Sequence, residues 1–394
     1  VGFAAQDRPG IASLVSTLIF LAYAAITLAT AVTRPIANWD MLAYQASVLD
    51  RQGTPDSATL HRETFERVRA AITDGQFREL TGSDAWRERQ ARDSEAFRSM
   101  LPMYEVKGGY IALLTAVSTF TETIQAARAI SLVSVGVIFA VLAFAFWRLG
   151  ALRYLVLTVP VLAVLRFADL ASITAPDPLA IALAFSALTM IAARGVFSAG
   201  PVPAVLVALS VWMRPDMLVV AAGLPVALAV TAAMQAWREG TGLLRAPLAA
   251  GIWPWLGIPL AFGAYQLAKW GVAHPGWWVH FNFSIIAQQE SMAGFNPAFS
   301  WGDYLRGVIR GVLRTARDET WPWLMLAMLF AGRLLLQRRR LPSAAIALVL
   351  VAVGSVAARL VVFPLGDSRL AVLPLLAMLL AAAACARPDE NDVA

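Results

Sequence analysis

Long apolar runs separated by polar turns dominate the chain. They fall near residues 11–32, 126–147, 153–171, 178–193, 202–214, 216–234, 247–270, 321–336, 343–363 and 369–386. Most approach the length of about 20 residues that a helix needs to cross a bilayer. The pattern predicts an all-α integral membrane protein with about ten transmembrane helices, forming one polytopic domain over 1–394. The first run has no small-residue cleavage site after a short apolar core, so it reads as a retained helix and not a signal peptide. The stretch 109–120 is apolar but short. Segments of that length are re-entrant or interfacial, and a half-inserted helix is expected there.

Two polar segments interrupt this pattern, 33–107 and 272–320. Within the first, amphipathic periodicity predicts juxtamembrane helices over 40–51, 58–74 and 84–100, the third densely charged and water-facing. The second opens on an aromatic belt, His274 to Phe281. Further on, Arg306, Arg310 and Arg314 recur every fourth residue beside apolar Leu305, Ile309, Val312 and Leu313. That spacing predicts a basic helix lying on the membrane surface. The tail from Arg387 is short and acidic and is expected to be disordered.

Composition narrows the picture. The chain is 59% hydrophobic and 15% charged, against about 25% charged in a soluble domain. Of its 58 charged residues (32 basic, 26 acidic), 23 lie within 33–107. One cysteine, Cys385, excludes an internal disulfide and a Cys-based zinc site. His61, His274 and His280 lack metal-ligand spacing, so no metal ligand is assigned, although a divalent ion is left open. The net charge of +6 is nearly all arginine. In a membrane chain it reads as orientation and not as nucleic-acid binding. With the N-terminus inside, Arg148, Arg153, Arg194, Arg238, Arg245, Arg333 and Arg338–Arg340 all fall in inner loops, as the positive-inside rule requires. Both polar segments then face outward. Counting 109–120 as a full span would invert everything after it.

Charges beside apolar spans are costly and usually face a cavity. Four places stand out, and this topology puts all of them at the outer face. They are Asp40, the run Tyr104-Glu105-Val106-Lys107, the turns carrying Arg166, Asp169, Asp177, Arg214 and Asp216, and Asp367-Ser368-Arg369. Each has a bland reading. The Arg/Asp sets could be local ion pairs, Pro176 and Pro178 could start a helix, Lys107 could snorkel, and Asp40 could be an N-terminal helix charge. Their convergence on one face favours chemistry. Arg and Lys can hold a phosphate, and a carboxylate can take a proton from an attacking hydroxyl.

The order of these features resembles the GT-C polytopic membrane glycosyltransferases, relatives of the aminoarabinose and protein O-mannosyl transferases. The matching features are Asp40 after the first span, Pro102 to Tyr110 at the end of the long outer loop, Ala127-Arg128 before the next span, Pro176-Asp177-Pro178, Arg214-Pro215-Asp216, and Arg369 at the last span. The resemblance implies Asp40 as catalytic base. It implies Lys107, Arg369 and Arg214 as holders of a polyprenyl-phosphate donor, with Tyr104, Tyr110, Asp177, Asp216 and His280 in the substrate site. No cofactor is required beyond the lipid-linked sugar. The partners expected are the bilayer and a glycan, glycolipid or protein acceptor. The expected location is a bacterial cytoplasmic membrane, with the site facing the periplasm. Many relatives carry two adjacent acids after the first span. Here Asp50 is ten residues from Asp40 and roughly 80° off its helix face, a poor partner. Relatives often have Pro where this chain has Gly108 or Gly109. Two rivals stand: a transporter or flippase, which would show matched half-repeats, and a non-catalytic assembly protein on a GT-C-like fold.

Overall fold

The computed structural model describes residues 10–53, 56–194, 200–240, 253–335 and 341–386. Arg245, the Arg338–Arg340 cluster, the first residues of the 247–270 run and the tail from Arg387 lie outside the described residues. The described chain is all helical. Five helices are long and apolar enough to cross a membrane: Ile11–Thr33, Thr123–Arg148, Pro215–Arg238, Ser343–Val362 and Ser368–Cys385. Shorter apolar helices are Gly108–Val117, Leu152–Val164, Asp177–Ala193 and Val202–Met213.

Burial sorts these helices. The first exposes Leu14, Leu18, Leu21 and Ile26, whereas the last buries nearly every residue from Val372 to Ala384. A helix apolar all round belongs at the centre of the bundle, and one with apolar side chains facing outward needs lipid. The last helix packs against Ser343–Val362, Asp177–Arg194 and Thr123–Arg148. Its N-terminal end, with Arg369, is therefore held among several neighbours.

The predicted run 153–171 is not one continuous helix. It forms a 3-10 turn (Leu152–Leu157), a short helix (Thr158–Val164) and another (Phe167–Ser172). Arg166 between them takes a left-handed φ of 54°, which ends an α-helix. The broken segment still runs from one end of the bundle to the other. The Val156 amide donates to Ser16 at one end. The Ser131 hydroxyl donates to the Ile173 carbonyl, and the Thr174 hydroxyl to Asn38, at the other.

Helix Gly108–Val117 has ten residues, about 15 Å at the α-helical rise, too short to cross. It leads directly into Thr123–Arg148, whose Arg128 shares a recess with Thr33 at the end of the first helix. Both ends of the short helix thus lie at the bundle end that carries Asp40.

The two polar segments form one cap with its own apolar core. Trp39, Leu42, Leu60, Val68, Phe97 and Met100 pack with Val279 and Met292 of the second segment. The Gln90 side chain donates to the Glu290 carbonyl at 2.6 Å, and the Met292 amide to Ser99 at 2.9 Å. The stretch 84–100 is therefore not simply water-facing. It divides at Asp93 into Ala85–Arg92 and Ser94–Met100, each capped by an aspartate side chain. Arg89 and Arg92 pair at the surface, while Phe97 and Met100 fill the core. Likewise 58–74 ends at Ala71, and a new helix, Asp74–Gly82, starts from a Thr73–Gln76 capping box.

The surface helix Trp301–Asp318 has three faces. At about 100° per residue, Trp301, Leu305, Ile309, Val312 and Leu313 fall in one arc, all exposed. Arg306, Arg310, Arg314 and Arg317 occupy the next. The remaining arc buries Gly307, Gly311 and Thr315 against the protein. A Cβ on Gly311 would collide with Pro364, and one on Gly366 would lie 2.5 Å from the Thr315 hydroxyl.

The ends of the bundle can be checked with cysteines in a Cys385→Ser background. Arg148 and Arg238 end two long helices on the side opposite the cap, which carries Glu79 and Arg314. Cysteines at 79 and 314 should react together with an impermeant maleimide in intact cells. Those at 148 and 238 should form the complementary pair. Co-labelling of 79 with 148 would contradict the bundle as described.

Candidate functional site

The helix Asp40–Arg51 begins where the chain leaves the first apolar helix through Arg34-Pro35. Asn38 fixes this entry by accepting from Thr174. Asp40 occupies the first turn, where a carboxylate favours the helix dipole, and Tyr44 follows one turn later on the same face. From the other end of the sequence, Arg369 opens the last helix. Its Nη1 lies 3.6 Å from the Asp40 carboxylate. Its other donors hold Asp367: Nε at 2.8 Å, Nη2 at 2.6 Å, and the backbone amide at 2.9 Å. Burial opposes the Asp367 charge, but this fork holds its carboxyl below the ordinary carboxylate range.

Arg214 and Arg359 continue the ion pairs around the bundle. Pro215 has no amide hydrogen and forces Arg214 into an extended conformation (φ −151°, ψ 104°), which separates two helices. Arg214 meets Asp177 at the start of another helix, and its Nε bonds Asp216 at 2.7 Å. The other Asp216 oxygen takes Arg359 Nη2 at 2.7 Å, and Arg359 Nη1 donates to the Leu370 carbonyl at 2.5 Å. Five chain segments are thus tied through Asp177, Arg214, Asp216, Arg359 and the start of the last helix.

Lys107 is different. Its ammonium lies over the Tyr104 ring at 4.6 Å and the Tyr44 ring at 5.5 Å. Among the described residues it has no ion-pair partner within 4.0 Å. Burial lowers its pKa to about 8, with Asp40 and Asp216 opposing the shift and Arg214 and Arg369 adding to it. Two carboxylates and two guanidinium groups thus act on the one ammonium. Tyr44 packs on Tyr104 and Tyr110 (ring centroids 5.9 and 5.0 Å). The hydroxyls of Tyr44 and Tyr110 are buried without a hydrogen-bond partner among the described residues. Buried polar atoms are normally satisfied, so two such hydroxyls beside an uncompensated ammonium mark a place suited to a polar ligand. Burial, then the Asp40 charge, raises both the Tyr44 and Tyr104 phenols, so both stay protonated.

Two glycines hold Lys107 close. A Cβ on Gly109 would lie 2.7 Å from the Trp212 ring, and one on Gly108 would lie 3.2 Å from the Ala268 carbonyl oxygen. The helix that follows Lys107 therefore approaches the chain two residues before Arg214. His280 stacks near Phe363 (5.0 Å) and faces His274 (6.1 Å). Burial and the Lys107 charge lower its pKa to about 4, so it is neutral at pH 7. The surface helix and its neighbours clamp the loop that carries Asp367. Tyr304 donates to the Val361 carbonyl, Trp277 to Val362 and Trp321 to Gly366.

Of the residues expected from the sequence, Asp40, Lys107, Tyr104, Tyr110 and Arg369 converge. Arg214 joins them electrostatically but is bound to Asp177 and Asp216, which makes all three a strut. His280 stands at the edge. Asp50 pairs with Arg98 at 3.4 Å instead, and Arg166 pairs locally with Asp169 at 2.5 Å. The sequence reading missed Arg359 and Tyr44. A lone arginine within the apolar run 343–363 was a signal for the first, and the one-turn spacing from Asp40 for the second. Among the described residues, no three His, Cys, Asp or Glu side chains gather as a metal site would need.

No protein-family model, curated protein or solved structure matches the chain.

The strut can be tested apart from any activity. Asp177 is only 5% exposed and Arg214 16%. Asp177→Asn leaves a buried guanidinium short of a charge, which costs about 3–5 kcal/mol when one partner of a buried pair is removed. The expected result is a clear loss of thermal stability in detergent. A paired Asp177→Leu, Arg214→Met variant should recover much of it. An unchanged melting temperature in Asp177→Asn would remove the strut.

Proposed function

We propose that this chain is a membrane glycosyltransferase of the GT-C type. In this reading about ten helices cross a bacterial cytoplasmic membrane, with the cap and site at the outer face. A sugar passes from a polyprenyl-monophosphate donor to a hydroxyl on an outer glycan, glycolipid or protein, and polyprenyl phosphate leaves. The observation that carries the proposal is the meeting of Asp40 and Arg369, 3.6 Å apart and at opposite ends of the sequence, beside an ammonium with no carboxylate of its own.

The chemistry follows from the charges. The donor's phosphate needs cations, and among the described residues of this cluster Lys107 is the cation not already matched by an aspartate. Arg369 supplies a second, planar donor set, shared between Asp367 and Asp40. When the phosphate takes the Nη1 edge, Asp40 is released to accept the proton of the acceptor hydroxyl. The acceptor oxygen then bonds the sugar's anomeric carbon as the bond to the phosphate oxygen breaks, and the electron pair leaves with the phosphate. Attack opposite the leaving group inverts that carbon. Protonated Tyr44, Tyr104 and Tyr110 can donate to sugar or phosphate oxygens. Arg214, bound by two aspartates, keeps the site in shape.

Asp40→Asn keeps the size of the side chain and removes the base. Transfer from a radiolabelled polyprenyl-phosphate sugar should fall about 10²–10⁴-fold, with the protein still folded. Near-normal turnover would end the assignment. The same assay separates the rivals, since a flippase moves the lipid-linked sugar without transfer and an assembly protein does neither.

The pH profile tests Lys107. A lysine with a pKa near 8 is charged below that value and neutral above it. The kcat/KM for the donor reports the free enzyme, so it should decline as pH rises through about 8. Lys107→Arg, which stays charged, should abolish that decline. A profile flat to pH 10 in the unaltered protein would contradict the role given to Lys107.

A further inference from the structure

Arg128 lies a turn and a half into the apolar helix Thr123–Arg148. A charge inside such a helix is costly unless it is compensated. Arg214, Arg359 and Arg369 each meet an aspartate. Arg128 meets none among the described residues, and its Nε is buried without a hydrogen-bond partner.

The space beside it is a recess of about 470 Å³ lined by Thr33, Arg34, Pro35, Ala70–Thr73, Gln76 and Arg128. The volume is large enough for a phosphate group with its immediate substituents, since one water takes about 30 Å³ of liquid. The other polar side chains of the lining are occupied. The Gln76 amide donates to the Pro35 carbonyl at 3.2 Å and its oxygen accepts from the Thr73 amide at 3.1 Å. The Thr33 hydroxyl is turned back to Ala29. What remains is two guanidinium groups, Arg34 at the exposed edge and Arg128 within, with no carboxylate in the lining.

We propose that this recess is a second anion site, separate from the Asp40 cluster, which takes a phosphate group. Arginine pairs suit phosphate because each planar fork can bond two oxygens at once. The site stands at the ends of two helices long enough to cross a membrane. A phospholipid headgroup and a soluble phosphate both present the required chemistry. This assignment does not depend on the transfer reaction.

The test uses purified, delipidated full-length protein and two probes. Dioleoylphosphatidylglycerol is titrated by native mass spectrometry, and inorganic phosphate by calorimetry. Arg128→Gln removes the inner charge. Gln76→Glu places a carboxylate in the same lining and retains the capping box, since Glu serves at that position. It should therefore fold even where Arg128→Gln does not. Both variants should weaken the first lipid or phosphate bound at least about tenfold, as expected for loss of a charge-assisted hydrogen bond. Arg92→Gln, at an exposed arginine of the cap that pairs with Glu88 outside the recess, should bind as the unaltered protein does. Weakening confined to the lipid probe identifies a headgroup, and weakening with phosphate identifies a soluble anion. Unchanged binding of both probes in Gln76→Glu, equal weakening in Arg92→Gln, or no binding of either probe by the unaltered protein would overturn the site.

Discussion

The arrangement depends on how an apolar bundle accommodates charge at one end. Asp177, Arg214, Asp216 and Arg359 form a continuous set of ion pairs, and Arg359 reaches the Leu370 carbonyl beside Arg369. Each residue comes from the end of a different helix or from the break between two. Buried pairs add little net stability because desolvation offsets their attraction. Their effect is geometric, since a helix that slid or rotated would strand a charge in apolar surroundings. The set therefore fixes the relative heights of the helix ends, and with them the position of Arg369 opposite Asp40.

The cap completes this frame from above. Its core holds Trp39 directly before Asp40 and Met103 directly before Tyr104. Folding of the cap thus sets both the carboxylate and the aromatic floor beneath Lys107. The second polar segment grips the backbone at Val361 and Val362 through Tyr304 and Trp277, and Trp321 at the start of the next helix holds Gly366. Its surface helix presents arginines and exposed apolar side chains together, as an interfacial helix does. That helix packs directly on the loop that carries Asp367, through Gly311 against Pro364 and Thr315 against Gly366.

Much of this was legible in the sequence, because apolar length and the position of charges are local properties. The long helices, the short apolar helix at 108–117 and the outlying charges Asp40, Lys107 and Arg369 could be read directly. The pairing of those charges could not, since Asp177 and Asp216 look the same on paper whether they bind a substrate or an arginine. The break at Arg166 depends on one backbone torsion, and no glycine announces it. The cap core was hidden because its helices carry many charges, and their few apolar positions, such as Phe97 and Met100, find partners on other helices of the cap and in the distant segment 279–292. The need for Gly109 is likewise tertiary: the Trp212 ring occupies the space of a side chain.

The central claim is that Lys107 and Arg369 together receive a lipid-linked phosphate while Asp40 faces the acceptor. A structure with a non-transferable polyprenyl-phosphonate sugar bound tests it most directly. The account predicts the phosphonate oxygens within hydrogen-bond reach of Lys107 Nζ and the Arg369 guanidinium, the Arg369–Asp40 contact opened, and the sugar between the phosphonate and Asp40. A phosphonate bound elsewhere, with the Asp40–Arg369 pair intact and nothing against Lys107, would contradict it.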